Sequence, residues 1–124
     1  MTNYFTVEIK EKTYGVKFNN TTRELLGKMF GTDPMKYGEE AQKLIELSPS
    51  LFTAKIIYAG IRTVALIKEE KIDLTQPDVN EWAGDLSLER LLEIIGIYNK
   101  AFNEVPKSAQ AKSKKKDEQL AGTK

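Results

Sequence analysis

The sequence predicts a mainly helical α+β domain, and three observations carry that prediction. Apolar and polar residues alternate near the N-terminus, apolar residues recur at helical spacing from about residue 22 to residue 105, and the last stretch is too polar to join a core. Phe5, Val7 and Ile9 alternate with Thr6, Glu8 and Lys10, and a second set, Tyr14, Val16 and Phe18, comes after the polar link Lys10-Glu11-Lys12-Thr13. The pattern predicts a β-hairpin over residues 4–18 with one apolar face. A lone hairpin is marginal in water, so that face requires a cover, and the downstream helices are the natural one.

About five helices are expected. Thr21 with Glu24 three residues on has capping-box spacing, Leu25, Leu26, Met29 and Phe30 form a stripe, and Gly31 is placed to end a helix over 22–30. Gly38 weakens the next turn, and Ala41, Leu44, Ile45 and Leu47 then predict a helix over 39–47. Ser48-Pro49-Ser50 breaks the chain and restarts it as a helix over 50–70. Between Ile56 and Ile67 the apolar residues of this third helix surround its axis, the mark of a buried helix, and Gly60 within it is expected to admit a close neighbour.

Thr75 with Asp78, and Pro77 in the first turn, start a short helix over 76–84 whose Val79, Trp82 and Ala83 share a face with Leu86 beyond it. Trp82 reads first as a core residue. Ser87 caps a last helix over 88–104. Its Leu88, Leu91, Leu92, Ile94, Ile95, Tyr98, Ala101 and Phe102 lie on one arc with Val105, opposite Glu89, Glu93, Lys100 and Glu104. Ile97 stands in the middle of the polar arc, either as a contact with something outside the monomer or as a scattered exposed apolar residue.

The expected organisation is one folded domain over residues 1–105 and a disordered Lys-rich tail over 106–124. The whole chain has a net charge of +1, but residues 1–105 hold 13 basic and 16 acidic side chains while residues 106–124 hold 6 lysines and 2 acids. The tail has no aromatic residue and only Leu120 as a large apolar one, so burial cannot offset its ordering entropy. Lys114-Lys115-Lys116, beside Asp117 and Glu118 and without an aromatic ring for stacking, is read as solubilising, and no specific nucleic-acid partner is expected.

Composition narrows the chemistry. There is no histidine and no cysteine, which excludes the usual zinc sets, thiol nucleophiles, Ser/His pairs and disulfides. Neither GxGxxG nor GxxxxGK[ST] occurs. The carboxylates Glu39-Glu40, Glu69-Glu70 with Asp73, and Asp78, Glu81 and Asp85 read as helix ends and solvated faces. No catalytic, cofactor-binding or metal-binding residue is therefore assigned, and a non-enzymatic interaction protein is expected. The opening Met1-Thr2-Asn3-Tyr4 lacks a signal-peptide pattern, and the apolar stretch from Leu51 to Ile67, which carries Lys55 and Arg62, falls short of a membrane span, so a soluble cytoplasmic protein without a membrane partner is expected. The apolar surplus of the third helix, with Trp82 and Ile97, makes Ile57, Tyr58, Ile61, Trp82 and Ile97 the candidate partner-binding residues, and self-association is a second use of the same surplus.

The hairpin FTVEIKEKTYGVKF, a short helix, the segment IIYAGIRTV with its Tyr58-Ala59-Gly60, and the pair DVNEWAGDL and LLEIIGIYNKAF, with Asp78 to Trp82 as an acidic-Val-x-x-Trp element, resemble the tail assembly chaperones of long-tailed bacteriophages and prophages over about residues 4–105. The resemblance implies a protein of the host cytoplasm that binds the tape measure protein, keeps it soluble until the tail tube polymerises around it, and is absent from the mature virion. It also implies that the Lys-rich stretch could mark a frameshift site. Two other classes stay open on the residues: another phage or mobile-element structural protein, such as a head-tail connector component, and a DNA-binding regulator, which the net acidic body and mixed-charge helices disfavour.

Overall fold

The structure, a computed structural model, describes residues 4–33 and 36–103. Its elements are β1 (Tyr4–Ile9), β2 (Lys12–Lys17), α1 (Asn20–Met29), α2 (Gly38–Leu47), α3 (Pro49–Lys68), α4 (Gln76–Gly84) and α5 (Leu88–Asn103). The fold is the expected α+β class, an N-terminal hairpin against five helices. The tail expected to be disordered, residues 106–124, lies outside the described residues.

β1 and β2 pair antiparallel with Phe5 opposite Val16, Val7 opposite Tyr14 and Ile9 opposite Lys12. This register puts the alternating apolar set on one face, where Val7, Ile9 and Val16 are buried, together with Phe18 just beyond β2. Lys10 and Glu11 form the two-residue turn, both with positive φ, 54° and 66°. Tight hairpin turns need that conformation, and residues with a Cβ adopt it at a cost that Gly or Asn would avoid.

Four helix starts are set directly by side-chain chemistry, three of them at the caps that the sequence predicts. Thr75 and Asp78 form the reciprocal capping box of α4, the Ser48 hydroxyl accepts from the Leu51 N–H at the head of α3, and the Ser87 hydroxyl accepts from the Arg90 N–H at the head of α5. α1 differs from the sequence expectation. Its cap is Asn19, not Thr21: the Thr22 N–H donates to Asn19 Oδ1 at 3.2 Å and the Asn19 N–H donates to Thr22 Oγ1 at 3.1 Å. Thr22 is drawn inward because its hydroxyl also donates to the Lys17 carbonyl at 2.6 Å and meets the Thr63 hydroxyl of α3 at 2.7 Å. That buried pair ties the end of β2, the head of α1 and the middle of α3 together.

α3 is the central element, contacting β2, α1, α2, α4 and α5. It is long and apolar enough to cross a bilayer, which corrects the shorter span counted from the sequence, but 56% of its most apolar stretch is buried inside the fold. Its apolarity belongs largely to the core. The expectation of burial all round fails on one side and at the C-terminal end, where Leu51, Leu66 and Ile67 are exposed. α3 stops at Glu69, which takes the left-handed conformation (φ 57°), with the Glu70 N–H donating to the Ala65 carbonyl at 2.8 Å.

Gly60 sets the distance between α3 and the hairpin. A Cβ there would lie 2.5 Å from Val16 Cγ1, 3.2 Å from the Phe18 ring and 3.3 Å from the Lys17 carbonyl oxygen. By contrast, Gly96 in α5 faces open space. Gly60→Leu should therefore lower stability by about 1–3 kcal/mol through overpacking. Gly96→Ala should raise stability by up to about 1 kcal/mol through helix propensity. Urea titration of the two variants measures both signs.

An aromatic cluster closes the other end of the core. Tyr98 stacks edge-on against Phe18, Phe52 and Phe102 at centroid distances of 5.9, 5.3 and 5.0 Å. Its hydroxyl meets that of Tyr37 at 2.8 Å in a buried pair. Burial, with the Tyr37 hydroxyl adding to it, pushes the Tyr98 phenol far above its ordinary range, so Tyr98 stays neutral. Tyr98→Phe should cost about 1–3 kcal/mol by leaving the Tyr37 hydroxyl unpaired. The double variant Tyr37→Phe/Tyr98→Phe should recover most of that loss, and a double-mutant cycle by denaturant titration measures the recovery.

Candidate partner-binding surface

The candidate residues separate on burial. Ile57 and Ile61 are buried on the faces of α3 packed inside the domain, so neither reaches a partner of the folded monomer. The apolar surplus read at these two positions is used within the chain. Trp82 and Ile97 are half-buried and pack against the same core. Ile97 is thus part of the core margin, which corrects its placement amid an exposed polar arc. Tyr58 is half-buried and packs against that core as well, with the Arg62 guanidinium 6.0 Å from its ring centre.

Tyr58 belongs to a stripe that the sequence pattern did not isolate. Leu51, Lys55, Tyr58, Arg62 and Leu66 succeed one another at three- and four-residue intervals, so they share one face of α3. All five are exposed or half-buried. The aliphatic stem of Lys55 lies toward α1, its ammonium 5.7 Å from the centre of the Phe30 ring. Where α1, α2 and α3 meet, Phe30, Leu44, Leu47 and Lys55, with Glu40 and Lys43, line an open depression of about 290 Å³. Leu47 projects from its edge, 79% exposed.

α5 carries a second apolar edge. Its inner face is Leu91, Ile94, Ile95 and Tyr98, all buried, whereas Leu88 and Leu92 are 62% and 55% exposed. The single arc expected for α5 is therefore too broad. Leu88 precedes the first buried turn, and Leu92 lies about 60° around the helix from Ile95 at about 100° per residue.

The shifted carboxylates are structural in placement. Asp78 accepts from Lys10 Nζ at 2.7 Å and from the Thr75 backbone N–H at 3.1 Å, and these bonds lower its pKa from 3.8 to about 2. Asp73 accepts from Lys12 Nζ at 3.1 Å and from the Tyr14 hydroxyl at 3.4 Å, and its pKa is lowered, chiefly by Lys12. The two pairs pin the hairpin to the α3–α4 connection and the head of α4. No group of three or more acidic side chains that could hold a metal ion occurs among the described residues.

No family model, no curated protein and no solved structure matches this chain.

The two ion pairs give an acid dependence. Asp78 is held below its ordinary value in the fold, so its contribution is fully present above pH 3.8 and is lost as the pH falls toward about 2. Asp78→Asn should flatten the loss of stability over that interval, measured as the urea midpoint against pH. Because the pair is solvent-exposed, molar salt should shrink the difference between the variant and the parent.

Proposed function

We propose that this chain is a non-enzymatic tail assembly chaperone of a long-tailed bacteriophage or prophage, binding the tape measure protein in the host cytoplasm and keeping it soluble until the tail tube encloses it, without remaining in the mature virion. The order of hairpin, short helix, IIYAGIRTV segment and closing helix pair supports the reading. The observation that carries it is the open apolar depression between α1, α2 and α3, with Leu47 projecting at its edge.

A tape measure chain offers long amphipathic helices with apolar faces that have no partner before assembly. Such a face is recognised by laying it in a groove with apolar anchors spaced by helical turns. Phe30, Leu44 and Leu47 supply the apolar floor and edge, and Lys43 and Lys55 stand at the rim for the client's polar flank. A long client with repeated apolar turns engages many copies at once, so each groove needs only modest affinity.

Co-expression with the tape measure protein of the same genome should move that client from the insoluble to the soluble fraction. Leu47→Asp should abolish the rescue while leaving the melting curve of the isolated chain nearly unchanged, because Leu47 contributes little to the core. A client equally soluble with and without this chain would sink the reading.

A further inference from the structure

Two surfaces of this chain match each other in chemistry. Along one face of α3, the half-buried Tyr58 and the exposed Leu66 flank Arg62, Lys55 lies one turn before Tyr58, and neither cation has a carboxylate partner among the described residues. Each cation instead lies over an aromatic ring. On α5, the exposed Leu88 and Leu92 stand one turn apart, with Glu89 and Glu93 next to them in sequence. Arg90 engages Glu93 at 2.8 Å, which leaves Glu89 without an ion pair among the described residues.

We propose that copies of this chain associate through unlike surfaces, the acidic leucine edge of α5 in one copy seating on the cationic stripe of α3 in another. Like surfaces cannot pair in this way, because stripe against stripe would set Lys55 and Arg62 against their own copies. The dimensions agree. Leu88 and Leu92 are about 6 Å apart along the helix axis and Tyr58 and Leu66 about 12 Å, so the leucine pair fits within the stripe, between its two apolar ends. Glu89 then meets the cations, removing charge that either surface alone leaves to solvent. The contact requires no client, and it shares only Lys55 with the groove between α1, α2 and α3.

The test is sedimentation equilibrium of the full chain over a concentration series. The parent should exceed the monomer mass as concentration rises, and added salt should reverse the increase. Arg62→Glu and Leu92→Asp should each remain monomeric, with unchanged circular dichroism, since Leu92 is exposed and the half-buried Arg62 has no ion pair among the described residues. An equimolar mixture of these two variants should regain a complex of one copy of each, because the first retains its leucine edge and the second its cationic stripe. Combining Lys55→Glu and Arg62→Glu with Glu89→Arg in one chain should restore association by reversing the charge on both surfaces. A parent that stays monomeric up to about 1 mM overturns the proposal. So does a variant mixture that stays monomeric, or a Leu92→Asp chain that associates like the parent.

Discussion

The close approach of β2 to α3 at Gly60 is the constraint on which the rest of the domain depends. A two-stranded sheet is marginal alone, and this one gains its cover by lying almost on the backbone of the central helix, with Val16 Cγ1 2.5 Å from where a Cβ at residue 60 would be. At that distance Phe18, at the exit of β2, reaches the ring cluster of α5. The strand therefore connects two regions of core that the chain order separates. Helix α3 has to be apolar on several sides because the hairpin, α1, α4 and α5 all pack around it.

Polar contacts fix what apolar packing leaves loose. Apolar contact is non-directional and tolerates sliding, whereas a buried hydroxyl pair has a cost if displaced. Thr22 with Thr63 sets the height of α1 against α3, and Tyr37 with Tyr98 joins the segment before α2 to α5. Lys10 and Lys12 fix the hairpin tip from outside through Asp78 and Asp73. These exposed pairs contribute less individually, but they hold a turn whose two residues both have positive φ and lack the usual glycine.

Much of this architecture was legible in the sequence because it rests on local chemistry. Alternation gave the hairpin and its inner face, and Thr75 with Asp78 gave α4 to the residue. Legibility failed where a distant residue decided a local question. Thr21 has the better capping spacing on paper, but Thr63, 41 residues beyond Thr22, makes Asn19 the cap. Two of the partner-binding candidates, Ile57 and Ile61, lie in the core for a related reason. Ile57, Tyr58 and Ile61 look alike in a wrapped apolar helix, and only the elements packed around α3 decide that Tyr58 keeps part of its surface in solvent while the two isoleucines do not. Ile97 and Leu92 exchange the roles that an idealised wheel assigns, because α5 packs with its axis turned toward Ile94 and Tyr98.

The leftover apolar surface has a pattern that core formation does not require. Leu47 extends a groove already floored by Phe30 and Leu44, and Leu88 and Leu92 are spaced by one turn on the flank of a helix whose inner face is complete without them. Scattered exposed leucines need no explanation, but leucines placed at helical intervals beside ordered charge form surfaces with a direction and a sign. α3 ends up with cations held over rings and α5 with a carboxylate left in solvent. Neither arrangement stabilises the monomer by much, since exposed charges beside apolar side chains gain little until water is removed from both. Their energy is realised on contact with a complementary helix, so the same physics that leaves these side chains unneeded in the core suits them to binding.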